Sequence, residues 1–196
     1  VRLSESPDGV WRLELHQGHT TYTTRTGEPL VYQARAQRAS VAWERLPVTG
    51  LTSDEAREYV AWLDRTRRVP GARLCDEHEW ERAARGADDR AFAGGDRLDP
   101  NEANISTTYG RVGAAFGPDP VGSYPQLQSP FGLYDTVGNA YELTVAAHKS
   151  DIAVARGGAF FYDAFASRIA NRFELPASFR HSTVGLRVCA TWPPPG

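Results

Sequence analysis

Asp135 and Glu142 bracket the turn Thr136-Val137-Gly138-Asn139-Ala140-Tyr141. Two carboxylates with turn carbonyls between them can cage a hard cation such as calcium. The same residues also suit a hairpin in which Asp135 caps the turn and Asn139 takes the left-handed conformation. Spacing alone leaves both readings open. Cys75 and Cys189 are too few for a four-thiolate zinc site. They can close one long-loop disulfide or stay as two buried thiols. His16 and His19, three apart in a strand-like segment, point to opposite faces and do not share a metal. The sequence holds no G-x-G-x-x-G, phosphate loop, G-x-S-x-G, H-E-x-x-H or C-x-x-C pattern.

From Phe160 to Thr183 rings alternate with charge: Phe160, Phe161, Tyr162, Phe165, Phe173 and Phe179 among Asp163, Arg168, Arg172, Glu174, Arg180 and His181. Rings and arginines on loops compose a recognition surface. Its candidate ligand contacts are Tyr162, Asp163, Phe165, Arg168, Phe173, Glu174 and His181. Phe160 and Phe165 also suit a core, and Arg168 and Arg172 also suit loop carbonyls.

These residues need elements to hold them. Thr52 and Glu55 have the spacing of a capping box. Behind them Ala56, Tyr59, Val60 and Leu63 form one apolar stripe, and Pro70-Gly71 ends the helix. A second helix opens near Asp76, carries Glu77, Glu79 and Glu81 early, turns Trp80, Ala83 and Ala84 inward, and stops at Gly86. Trp11–Leu15, Tyr141–Val145, Val154-Ala155 and Val184–Val188 read as strands. Between Gly86 and Pro130 no period is visible. A loop that long needs an organiser: an ion, aromatic anchors or many backbone hydrogen bonds.

The chain has 196 residues, enough for a sizeable core. We read residues 1–192 as one domain, with 1–46 its least readable part and 193–196 a boundary tail. Twenty-two basic residues against 24 acidic give a net charge of −2, which excludes a general nucleic-acid binder. No apolar run approaches the roughly 18 residues of a membrane span. No signal peptide is visible, and a cytoplasmic location is the expectation. The chain starts at Val1 without any Met, so a piece of a longer or processed polypeptide is expected. All its basic residues except Lys149 are Arg, as in a GC-rich genome.

The order of several segments resembles the formylglycine-generating enzyme, or sulfatase-modifying factor, family. They are Leu46-Pro47-Val48-Thr49-Gly50, Ala72-Arg73-Leu74-Cys75 leading into Glu79–Gly86, and Ala103-Asn104-Ile105. Pro120–Pro125, Gly138–Glu142, Arg156-Gly157-Gly158, Ala170-Asn171-Arg172 and Gly185-Leu186-Arg187 follow. The resemblance implies an α+β, C-type-lectin-like fold with short antiparallel sheets, two main helices and long ordered loops. It implies a structural calcium ion on Asp135, Gly138, Ala140 and Glu142. It suggests a second ion at Asn104 and Ile105, whose acidic partner this chain lacks. It also implies a structural Cys75–Cys189 disulfide.

The family's oxidases bind copper through two cysteines after the Arg-Gly-Gly turn. Here that run is Ala159–Arg168, without sulfur, and copper(I) needs soft ligands. The related iron-dependent sulfur oxygenases carry their histidines on a further domain that this sequence does not show. Neither copper nor iron is therefore expected. The resemblance is nearest to domains attached to bacterial Ser/Thr kinases, or to variable proteins of diversity-generating retroelements. The expectation is a non-catalytic binding or sensory domain whose 160–183 surface holds a protein or small-molecule ligand beside a signalling module. A metal-dependent oxidoreductase with a rebuilt site and a retroelement variable protein are the alternatives.

Overall fold

Thr52 starts the first helix as its spacing predicts. Its hydroxyl accepts the Glu55 N–H, the Glu55 carboxylate accepts the Thr52 N–H, and α1 runs Ser53–Arg65. Ala56, Val60 and Leu63 are buried, but Tyr59 of the predicted stripe is exposed. A second capping box, Asp76 with Glu79, starts α2 at Glu77–Arg85. Trp80 and Ala84 turn into the core. The computed structural model describes residues 1–146 and 149–192; the tail at 193–196, read above as a boundary, lies outside them.

Among the described residues the strands form four small sheets. β1 (Arg2–Glu5), β2 (Trp11–Gln17) and β3 (Thr20–Arg25) make an antiparallel meander. β4 (Leu30–Val31) pairs with β5 (Ser40–Val41). β6 is Ala72–Leu74, β7 Tyr141–Ala146, β8 Lys149–Arg156 and β9 Arg172–Pro176. β10 (Val184–Leu186) and β11 (Val188–Ala190) complete the set. The central sheet has the order β10-β7-β8-β9, with β10 parallel to β7. The single strand predicted over Val184–Val188 is in fact two. Before Arg187 the chain pairs with β7, and after it with β6. That change of sheet leaves Arg187 at the junction.

The first core cluster joins Ala56 and Val60 of α1 to Leu74, Tyr141, Leu143, Ala155, Leu175 and Val184. The second gathers Trp80 and Ala84 of α2 with loop residues Phe92, Ile105, Leu127, Val137 and Ile169. Leu15, Tyr22, Leu30, Tyr32 and Val41 make a third, within the segment that was least readable. Cys75 and Cys189 are joined by a disulfide, S–S 2.11 Å, which ties the end of β6 to β11.

Arg35 organises the long segment after Gly86. Its fully buried guanidinium pairs with Asp119 at 2.6 Å and donates to the carbonyls of Ala115 (2.7 Å) and Gly117 (2.6 Å). The rings of Tyr32 and Tyr109 lie 3.6 and 3.9 Å from it, within cation–π range. The other Asp119 oxygen accepts the hydroxyls of Tyr109 and Tyr124. A charged group this deep needs acceptors, and here each of the three guanidinium nitrogens has one.

Candidate functional site

The 135–142 turn is built against that same segment. Gly138 has φ +73°, and a Cβ there would lie 2.5 Å from the Asn104 carbonyl oxygen, so only glycine fits. Asp135 takes φ +58°, a strained conformation that aspartate tolerates. Its Oδ2 accepts the Gly122 N–H at 2.6 Å. Burial raises its pKa, opposed by that hydrogen bond and by Arg187. Asn139 also has positive φ and knits the turn to Asp119: its Oδ1 accepts the Asp119 N–H and its amide donates to the Asp119 carbonyl.

Glu142 is held by Arg187. The Arg187 Nη2 donates to Oε1 at 2.6 Å and to the Tyr134 carbonyl at 2.7 Å, while Nε donates to Oε2 at 2.7 Å. Trp80 Nε1 donates to Oε2 at 2.5 Å. The Glu142 charge raises the Arg187 pKa further. Calcium takes six to eight oxygen ligands. Of the expected donors, both Glu142 oxygens face Arg187, and the Gly138 carbonyl accepts the Ala140 N–H at 2.8 Å. One Asp135 oxygen and the Ala140 carbonyl remain. This arrangement does not fit a structural calcium ion, because a guanidinium already supplies the positive charge.

The second expected ion position fares the same way. The Asn104 amide donates to Gly117 and to Asn139 Oδ1, and the Ile105 carbonyl accepts the Thr108 N–H. Asn104 Oδ1 is buried without a partner, but one amide oxygen is no cage. The Gly117 carbonyl beside it takes Arg35. Two arginines thus stand near the positions where two ions were expected.

The candidate recognition residues separate into groups. Tyr162 and Asp163 line an open hollow of about 500 Å³ with Ser106, Arg111, Phe116, Phe161 and Ala166. A chain of rings starts in its wall and runs through the core: Phe116 to Phe161 at 5.1 Å, Phe161 to Tyr162 at 5.6 Å, Tyr162 to core Tyr141 at 5.2 Å, and Tyr141 to Phe173 at 6.4 Å. Phe161, one ring in from Phe116, and Phe173 at the far end are exposed. Asp163 also shapes its own loop by accepting the Ala166 N–H. Phe165 is exposed rather than core, with Arg168 over its ring at 5.1 Å, whereas Phe160 is fully buried. Glu174 pairs with Arg172, which also grips Glu77. His181 stacks on Phe179 and bonds Thr183, in a separate group. Ser106, Arg111 and Phe116 were not singled out in the sequence, because they sit in the aperiodic segment.

A larger cavity, about 990 Å³, has the Asp135–Glu142 turn in its wall. Asp135, Ala140, Glu142 and Arg187 line it together with Leu46, Pro47, Val48, Tyr59, Tyr134 and Leu186. No pattern in the sequence marked this cavity, since its lining comes from five separated segments. Among the described residues no group of three or more His, Cys, Asp and Glu side chains is placed to hold a metal. No helix there is long and apolar enough to cross a membrane.

Comparison with known proteins accords with this geometry. A family model described as "Sulfatase-modifying factor enzyme 1-like domain" matches residues 16–192. The inactive C-alpha-formylglycine-generating enzyme 2 of Bos taurus is 31% identical over 166 residues, covering 76% of this chain and 52% of its own. The serine/threonine-protein kinase pkn1 of Chlamydia caviae is 35% identical over 97 residues, 49% of this chain and 13% of the kinase. This chain therefore spans about half or less of these relatives' lengths. The structure of Treponema denticola variable protein 1 superposes with a TM-score of 0.63 at 15% identity, over 90% of this chain and 98% of that one. That likeness concerns the fold alone.

Proposed function

The chain belongs to the sulfatase-modifying factor enzyme 1-like family, and we propose that it is a non-catalytic recognition domain of that family, holding a protein or small-molecule ligand on the ring face between Phe116 and Phe173. One observation carries this reading. The hollow beside Tyr162 is walled by rings, an Asp and an Arg, while both sulfurs of the chain are closed in a disulfide elsewhere. A soft redox ion has no thiolate to bind there. Exposed rings held in a packed aromatic chain give contact area at small entropic cost. The relative named as inactive supports a family role without oxidation. The partial match to a protein kinase supports a place beside a signalling module in a longer polypeptide.

Tyr162 leans on core Tyr141, so it is a poor residue for a test. Phe161 and Phe173 are the better pair. Peptides selected from a display library on the parent should lose binding to the variant Phe161→Ser/Phe173→Ser. Each substitution should cost no more than about 1 kcal/mol of stability, as exposed changes usually do. Retained binding, with selected peptides mapping away from this face, overturns the reading.

A further inference from the structure

The hollow beside Tyr162 holds two opposite charges as well as rings. Arg111 and Asp163 both line it, and among the described residues no ion pair joins them to each other or to a third group. Asp163 uses one oxygen to accept the Ala166 N–H at 3.0 Å and keeps the other free. Arg111 has φ +58°, a conformation that a long side chain seldom adopts. Its guanidinium has no hydrogen-bond partner among the described residues, and neither do the hydroxyls of Ser106 and Tyr162 on the same lining. Phe116 and Phe161 stand beside these polar groups.

The volume, about 500 Å³, lies within the range of small-molecule sites. A ligand with a single charge would satisfy one of the two groups and leave the other facing it unmatched. An internal peptide segment brings neither charge, and a chain end brings only one. A free amino acid brings both on one carbon, and an aromatic side chain adds a ring to pack on the ring wall.

We infer that this hollow binds a free amino acid with an aromatic side chain. The carboxylate meets Arg111, the ammonium donates to the free oxygen of Asp163, and the ring lies against Phe116 and Phe161. This rests on the recognition role proposed above and names the class of its small-molecule ligand.

The probe is L-phenylalanine, compared with L-phenylalaninamide, which lacks the carboxylate, and with 3-phenylpropionate, which lacks the ammonium. Binding to the whole chain is read by saturation-transfer NMR and calorimetry at about pH 6, below the α-amino range. The parent should bind the amino acid about tenfold tighter than either analogue, as one charge-assisted hydrogen bond predicts. Arg111→Gln should erase the preference over the amide and keep that over the acid. Asp163→Asn, whose side-chain oxygen can still accept the Ala166 N–H, should do the reverse. Phe161→Ser should weaken all three probes. The inference is overturned if phenylalanine does not bind saturably, if the parent binds the three probes equally, or if either charge variant keeps the preference it should lose. In those cases selected peptides that still need Phe161 and Phe173 leave the recognition role standing, and peptides that map elsewhere end both.

Discussion

Arg187 decides how the Asp135–Glu142 turn is held. Its two donors meet both oxygens of a nearly buried carboxylate, a bidentate geometry that a lysine could not reproduce. Removing one partner of such a pair leaves the other charge stranded. Arg187→Gln should therefore cost about 3–5 kcal/mol in urea unfolding, and a loss below 1 kcal/mol would show that Glu142 finds compensation elsewhere. The same geometry predicts that a calcium chelator leaves the melting curve of the parent unchanged. A chelator-dependent fall in melting temperature would restore the metal to this turn. Arg73 illustrates the exposed counterpart. Its hydrogen bond holds the Glu79 pKa below the ordinary value of 4.5. A carboxyl with a lowered folded pKa contributes stability above its unfolded value, and that contribution disappears as pH falls through the lowered one. The melting-temperature gap between the parent and Glu79→Gln should close below pH 4.5; a gap that persists in stronger acid would contradict this.

At the scale of elements, the disulfide and the sheet change at Arg187 work together. Cys75 and Cys189 are separated by 114 residues, so their bond removes a large loop-closure entropy from the unfolded chain. Replacing both with Ser should lower the unfolding free energy by about 2–5 kcal/mol; unchanged stability would mean that β6 and β11 stay paired in the unfolded ensemble. The helices were legible in the sequence because capping boxes and apolar stripes are local: Thr52 and Glu55, three residues apart, suffice. Val184–Val188 was read as one strand because alternation is the same whether a strand stays in its sheet or changes neighbours. The Arg35–Asp119 pair spans 84 residues, and nothing in local spacing joins a residue of the unreadable first segment to one in the aperiodic loop. The rings of the recognition face were visible as composition. Their order in space depended on Phe116 and Tyr141, which lie outside the segment that drew attention.

For the molecule as a whole, a family framework is retained, arginines stand near the positions where ions were expected, and the run after Arg156-Gly157-Gly158 carries no sulfur. Arginines 35 and 187 hold the loops, and the only sulfurs form a cross-link. What the surface offers is an aromatic hollow and a larger, mostly apolar cavity. The most direct measurement is copper stoichiometry. The protein is loaded with copper(I) under ascorbate, which leaves the disulfide closed, then dialysed against a competing copper(I) chelator and analysed by mass spectrometry. The account predicts no retained copper and no oxidation of a cysteine peptide by the loaded sample. One retained copper per chain, with turnover of that peptide, would contradict it.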